Sequence, residues 1–106
     1  MNRLRRGMKV EISSKSFHAS EKLIDFTDDK ISKIIKAYPG ISSVLVVLIL
    51  KKNCREKARV CKISLAIGPA QIVVERNTDS FEASVLEVVN IISRNLARAK
   101  QMRELT

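Results

Sequence analysis

Few of the 106 residues carry groups that do covalent chemistry. His18 is the single histidine. At the expected start of a helix it reads as a capping or surface residue rather than a general base. Cys54 and Cys61 stand seven apart with no second Cys/His pair to complete a zinc site. They read as ordinary thiols, with a hairpin disulfide as the lesser alternative. Asp28 and Asp29 are adjacent, so on a helix they leave in different directions and form no carboxylate dyad. Three glycines leave no room for a Gly-rich phosphate loop. No catalytic residue, metal ligand, cofactor or small-molecule substrate is assigned, and the chain is not expected to be an enzyme.

The chemistry that is present is positive charge. Twenty Lys+Arg stand against eleven Asp+Glu, a formal net charge of +9. A small domain with that excess is drawn to polyanions. The charge falls in three groups: Lys30, Lys33 and Lys36; Lys51, Lys52, Arg55, Lys57, Arg59 and Lys62; and Arg94, Arg98, Lys100 and Arg103. One tyrosine, three phenylalanines and no tryptophan argue against a surface that stacks successive bases on aromatic rings. Phosphate geometry is the feature such a protein would read, which suits structured RNA.

The elements that must position these groups follow from periodicity. Residues 1–7 (MNRLRRG) carry three arginines and no period, and read as a flexible basic arm. From Met8 the alternation of Met8, Val10 and Ile12 with Lys9 and Glu11 predicts a half-buried strand. A helix then runs to about Ala37, capped by His18 or Ser20. Its stripe is Leu23, Ile24, Thr27, Ile31, Ile34, Ile35 and Tyr38. Acidic residues come early in it and lysines late, matching the helix dipole, and Pro39-Gly40 stops it.

Three strands are expected next: 42–52, 60–67 and 71–75, the last two joined by a turn at Gly68-Pro69. The first of them, around VLVVLIL, is apolar on both faces, which suits an interior strand. Thr78 or Asp79 is the expected cap of a final helix whose stripe is Val85, Val88, Val89, Ile92 and Leu96. The order is βαβββα. The expected fold is α+β, a four-stranded mixed sheet whose first two strands are parallel, with both helices packed on one face. The domain occupies 8–101, and 102–106 is a C-terminal tail. No apolar run reaches membrane-spanning length: the longest, Val44–Leu50, is seven residues. The N-terminus lacks the apolar core of a secretory signal, so no membrane partner is expected and the cytoplasm is the expected compartment.

Residues 8–101 resemble the ribosome hibernation-promoting factor family, also called ribosome-associated inhibitors or sigma-54 modulation proteins. The carriers are the element order, Lys30-Ile31-Ser32-Lys33-Ile34 against the family's K-[IF]-x-K-[IL], the strand Val44-Leu45-Val46-Val47-Leu48, and Arg94-Asn95-Leu96-Ala97-Arg98-Ala99-Lys100 against R-Q-L-x-K-x-K. Ser80-Phe81-Glu82-Ala83-Ser84-Val85-Leu86 departs from the family's D-x-Y-A-A-I-D, and Ile91 stands where a basic residue is common. The resemblance implies a short form that binds the small ribosomal subunit through its rRNA, in the mRNA/tRNA channel at the A and P sites. There it would block translation and protect idle ribosomes in stationary phase or under stress. It carries rRNA binding onto Lys30, Lys33, Arg94, Arg98 and Lys100; Lys36 and Arg103 join them on charge and helical facing.

Two other readings compete. Residues 20–100 also resemble a double-stranded-RNA-binding domain, although Thr78-Asp79-Ser80-Phe81-Glu82 lacks that family's lysine cluster at the start of the last helix. Alternatively the chain is a protein-interaction regulator. In that case the two-sided apolar strand would supply a contact surface or a homodimer patch on the open sheet face.

Overall fold

A computed structural model describes residues 2–5, 8–52 and 57–104, with side chains over 9–52 and 58–100. Its elements are β1 (Asn2–Arg5), β2 (Met8–Lys15), α1 (Glu21–Ala37), β3 (Ile41–Lys52), β4 (Lys57–Ile67), β5 (Ala70–Thr78) and α2 (Phe81–Glu104). The strands form one sheet in the order β1-β2-β3-β4-β5. From β2 onward this is the expected βαβββα chain. β2 and β3 are parallel across the α1 crossover, while β3, β4 and β5 form an antiparallel meander.

Several boundaries differ from expectation: β4 starts at Lys57 rather than 60, β5 runs from Ala70 to Thr78 rather than 71–75, and both ends of the chain change. The arm expected over 1–7 contains β1, which pairs antiparallel with β2 from Asn2↔Glu11 to Arg5↔Met8. The sheet therefore has five strands. A four-residue edge strand satisfies backbone groups of β2 that would otherwise face solvent, and it needs no hydrophobic alternation to do so. The remainder of the arm, Met1, Arg6 and Gly7, lies outside the described residues. At the other end, α2 continues to Glu104, so residues 102–104 of the expected tail are helical. Leu105 and Thr106 lie outside the described residues.

The strand pleat decides where the core sits. Val10 and Ile12 of β2, Val44, Val46 and Leu48 of β3, Cys61, Ile63 and Leu65 of β4, and Val74 of β5 point to one face. Leu23, Ile31 and Ile34 of α1 and Phe81, Val85, Val88, Ile92 and Leu96 of α2 complete the same cluster. Both helices thus cover one face of the sheet. The other face is open, with Leu45 39% and Val73 53% exposed.

Local chemistry sets the helix ends. Ser20 caps α1, its Oγ accepting from the Leu23 N–H at 3.1 Å. For α2 the cap is Ser80, whose Oγ accepts from the Ala83 N–H at 3.1 Å. This corrects the expectation of Thr78 or Asp79. Thr78 instead stays in β5 and turns its hydroxyl onto the Ser80 carbonyl oxygen at 2.7 Å. α1 ends where Tyr38 donates its N–H to the Ile34 oxygen and Pro39 follows. Gly68 has φ +55°, a left-handed conformation that favours glycine in the β4–β5 turn.

Candidate nucleic-acid interface

The two helices run side by side in the same direction. At their N-terminal ends Phe17, just before α1, stacks on Phe81, the first residue of α2. At their C-terminal ends Tyr38 and Pro39 face Leu96 and Lys100 across a cleft floored by Ile67 and Pro69. The cleft has a volume of about 470 Å³. α2 has 24 residues against 17 in α1, so its last seven or so run on by about 10 Å, at about 1.5 Å per residue.

This geometry gathers the two basic helix tails at one pole. Lys36 lies in the last turn of α1, and Arg94, Arg98 and Lys100 lie along the last turns of α2; all four are exposed. The carbonyl ends of both helices sit at the same pole, so these cations also offset two aligned dipoles. Carboxylates concentrate toward the other ends of the helices: Glu21 and Asp25 in α1, Glu82 and Glu87 in α2.

The remaining members of the first-helix group are partly engaged. The Asp29 carboxylate lies 3.7 Å from the Lys33 ammonium and 3.9 Å from that of Lys30. Lys30 Nζ also sits 5.3 Å from the centre of the Phe26 ring. Lys33 remains 68% exposed, whereas the Lys30 side chain is 26% exposed. Exposed ion pairs of this kind are worth about 0.3–0.5 kcal/mol and yield readily to a phosphate. Asp28 and Asp29 do part as their adjacency requires: Asp28 is buried and Asp29 exposed. Arg103 belongs to the helical backbone, but its side chain lies outside the described residues.

The hairpin cations among the described residues do not join the pole. Arg59 pairs with Thr78 in the sheet and its Nη1 donates to the Asp79 carbonyl oxygen at 3.2 Å, beside the start of α2. Lys51 and Lys52 are exposed at the same end, next to Ala58 and Lys57 in the ladder. Lys62 lies on the open face opposite Glu75. Arg55 and the Lys57 side chain lie outside the described residues, as does Cys54. Cys61 is free and fully buried against the helices, and burial pushes its thiol up to about 12. His18 is exposed. Among the described residues no three His, Cys, Asp or Glu side chains cluster as a metal site would need, and no helix is long and apolar enough to cross a membrane.

The cleft itself was not foreseen. Its walls come from 37–40, 67–72 and 96–100. The one local signal is that two Pro/Gly pairs, Pro39-Gly40 and Gly68-Pro69, flank it.

The fold and the gathered cations define the class of protein: a small α+β domain with a basic pole built from the ends of two parallel helices. The family model of the sigma-54 modulation protein / S30EA ribosomal protein family matches residues 10–104, and the chain belongs to that ribosome-associated family. Among solved structures, a ribosomal subunit interface protein from Coxiella burnetii superimposes with a TM-score of 0.76 at 14% identity, over 87% of this chain and 97% of that one. The N-terminal domain of Protein Y from Thermus thermophilus gives 0.71 at 15% identity, over 83% of this chain and 93% of that one. At such identities these likenesses speak for the fold. No curated protein matches in sequence.

Proposed function

We propose that the protein is a ribosome hibernation factor that binds the small subunit through its rRNA in the mRNA/tRNA channel. By occupying the A and P sites it blocks translation and shields idle ribosomes in stationary phase or under stress, in the cytoplasm. Family membership supports ribosome association. The observation that carries the RNA reading is the convergence of Lys36 with Arg94, Arg98 and Lys100 at one pole. Lys30, Lys33 and Arg103 are the further proposed rRNA contacts, and Asp29 releases Lys30 and Lys33 when phosphate replaces it. Catalysis has no part in this role.

Competition on purified small subunits tests the reading. Bound protein should exclude initiator tRNA and mRNA, and its affinity should fall steeply with salt. With about six phosphates neutralised, log affinity falls against log salt with a slope of about −4 to −5. A slope near zero, or equal affinity for any long RNA duplex, would count against it.

The open sheet face has a separate partner, a second copy of this chain. Leu45 and Val73 are exposed there, beside Glu11 and the Lys62/Glu75 pair. A face carrying both signs of charge can complement itself under a twofold axis more readily than the predominantly basic pole can.

A further inference from the structure

The cleft between the helix ends has a shape and chemistry that phosphate binding alone does not require. Its volume of about 470 Å³ falls within the range of small-molecule sites, about 300–1,000 Å³. Its floor of Ile67 and Pro69 is apolar, and so is Leu96 on its wall. Tyr38, half-buried, is the chain's single tyrosine and contributes the only aromatic ring to the lining. Lys100, exposed, is the only charged residue of the lining among the described residues, and Lys36 lies two residues before Tyr38. An apolar slot with one aromatic wall and cations at its edge matches a flat heteroaromatic ring joined to an anion. A nucleotide is that chemistry, because base–aromatic stacking accepts any base while lysine takes the phosphate.

We propose that this cleft receives a single unstacked nucleobase of the bound RNA, against Tyr38, with the adjoining phosphate on Lys100. The inference rests on the RNA-binding reading above and adds a base contact to it. It also fits the scarcity of aromatics: one ring serves one base, where a stacking platform for several bases would need more. The basic tails hold the backbone on either side, so the RNA is delivered to the cleft by contacts that carry no sequence information.

Isotope-labelled protein titrated with adenosine 5′-monophosphate and, separately, ribose 5-phosphate at millimolar concentration tests it. The mononucleotide should shift the NMR signals of Tyr38, Gly40 and Ala99 saturably. Ribose 5-phosphate should move Lys100 and leave the Tyr38 ring unshifted. Ala99→Trp, from an exposed position in the lining, fills the slot. It should abolish the Tyr38 shift and weaken small-subunit binding about tenfold with the folded circular-dichroism spectrum kept. Ala70→Phe on the facing wall serves as a second filling variant.

Tyr38 unmoved by the mononucleotide, equal Tyr38 shifts from both probes, or filled variants that bind subunits like the parent would each overturn the proposal. Weakened subunit binding by Ala99→Trp, with Tyr38 still blind to the nucleotide, would assign the cleft to a protein segment and equally overturn it. None of these results touches the salt-sensitive subunit binding of the parent protein, whose loss would instead sink the underlying reading.

Discussion

Phe17 and Phe81 stack with ring centroids 4.4 Å apart and planes 11° from parallel. One ring precedes α1 and the other opens α2, so the contact starts the two helices at the same level. Two parallel helices that begin together bring Tyr38 beside Leu96 after about the same number of turns. The basic pole is thus aligned from the opposite end of the molecule, by an apolar contact that carries no charge.

A double-mutant cycle measures that alignment. Phe17→Leu and Phe81→Leu should each destabilise the fold in urea, Phe81→Leu by more because Phe81 is the more buried ring. Their coupling should be about 0.5–1.5 kcal/mol, the worth of an aromatic pair beyond its buried area. Additive effects would show that the rings merely fill space.

Ser84 ties three elements together. Its Oγ donates to the Arg59 carbonyl oxygen of β4 at 2.6 Å and lies 2.8 Å from the Thr78 Oγ1 of β5, which itself donates to the Ser80 oxygen. Two hydroxyl protons thus serve three contacts. Ser84 is fully buried, so Ser84→Ala takes from the Arg59 carbonyl oxygen its hydroxyl donor away from water. The expected loss is about 1–2 kcal/mol in urea unfolding. Ser80→Ala should cost about 1 kcal/mol through the lost cap. The two effects should be non-additive because Thr78 bridges them.

Much of this architecture was legible because the signals were local. Alternation in Met8–Ile12, the stripe from Leu23 to Tyr38 and the β-branched run Val44–Leu50 each carry their own period. The cap of α2 was not legible to the residue. Asn77, Thr78, Asp79 and Ser80 can all cap, and the choice fell to the one that sets Phe81 on Phe17. β1 hid because a short edge strand needs backbone pairing and no apolar face. For the site, helical charge order marked Lys36, Arg94, Arg98 and Lys100. No linear pattern could show that Asp29 holds Lys33, or that Tyr38 meets Lys100 across a cleft.

Cys61 should be inert and should make stability fall at high pH. Its thiol is neutral in the folded state up to about 12, against an ordinary value near 9. Between those values the unfolded chain loses its proton and the folded chain keeps it. Stability is therefore whole below about pH 9 and declines as pH rises toward 12. In a Cys54→Ser background, iodoacetamide at pH 7.5 should label Cys61 only after unfolding, read by mass spectrometry. Replacing Cys61 by Ala should flatten the decline of stability between pH 9 and 10.5. Fast labelling of the native protein would contradict the burial.

The open face predicts self-association of a defined kind. Val73→Lys and Leu45→Lys each place an extra cation on it without touching the core, since both residues are exposed. By analytical ultracentrifugation the parent should form a concentration-dependent dimer and both variants should remain monomeric, with unchanged thermal unfolding. A parent that stays monomeric at hundreds of micromolar would remove this face as a homodimer surface.

Arg94 and Arg98 share a face of α2 and are both exposed, so reversing their charge isolates binding from folding. Arg94→Glu with Arg98→Glu should leave the circular-dichroism spectrum and melting midpoint near those of the parent. Co-sedimentation with small subunits should weaken by tenfold or more at physiological salt. The milder pair Arg94→Gln with Arg98→Gln makes the mechanism quantitative: each lost phosphate contact lowers the salt slope by about 0.7–0.9, so the pair should lower it by about 1.4–1.8. The same substitutions at Lys51 and Lys52, exposed at the opposite end of the molecule, should weaken binding far less. If both pairs act alike, attraction is set by net charge and the basic pole loses its special role.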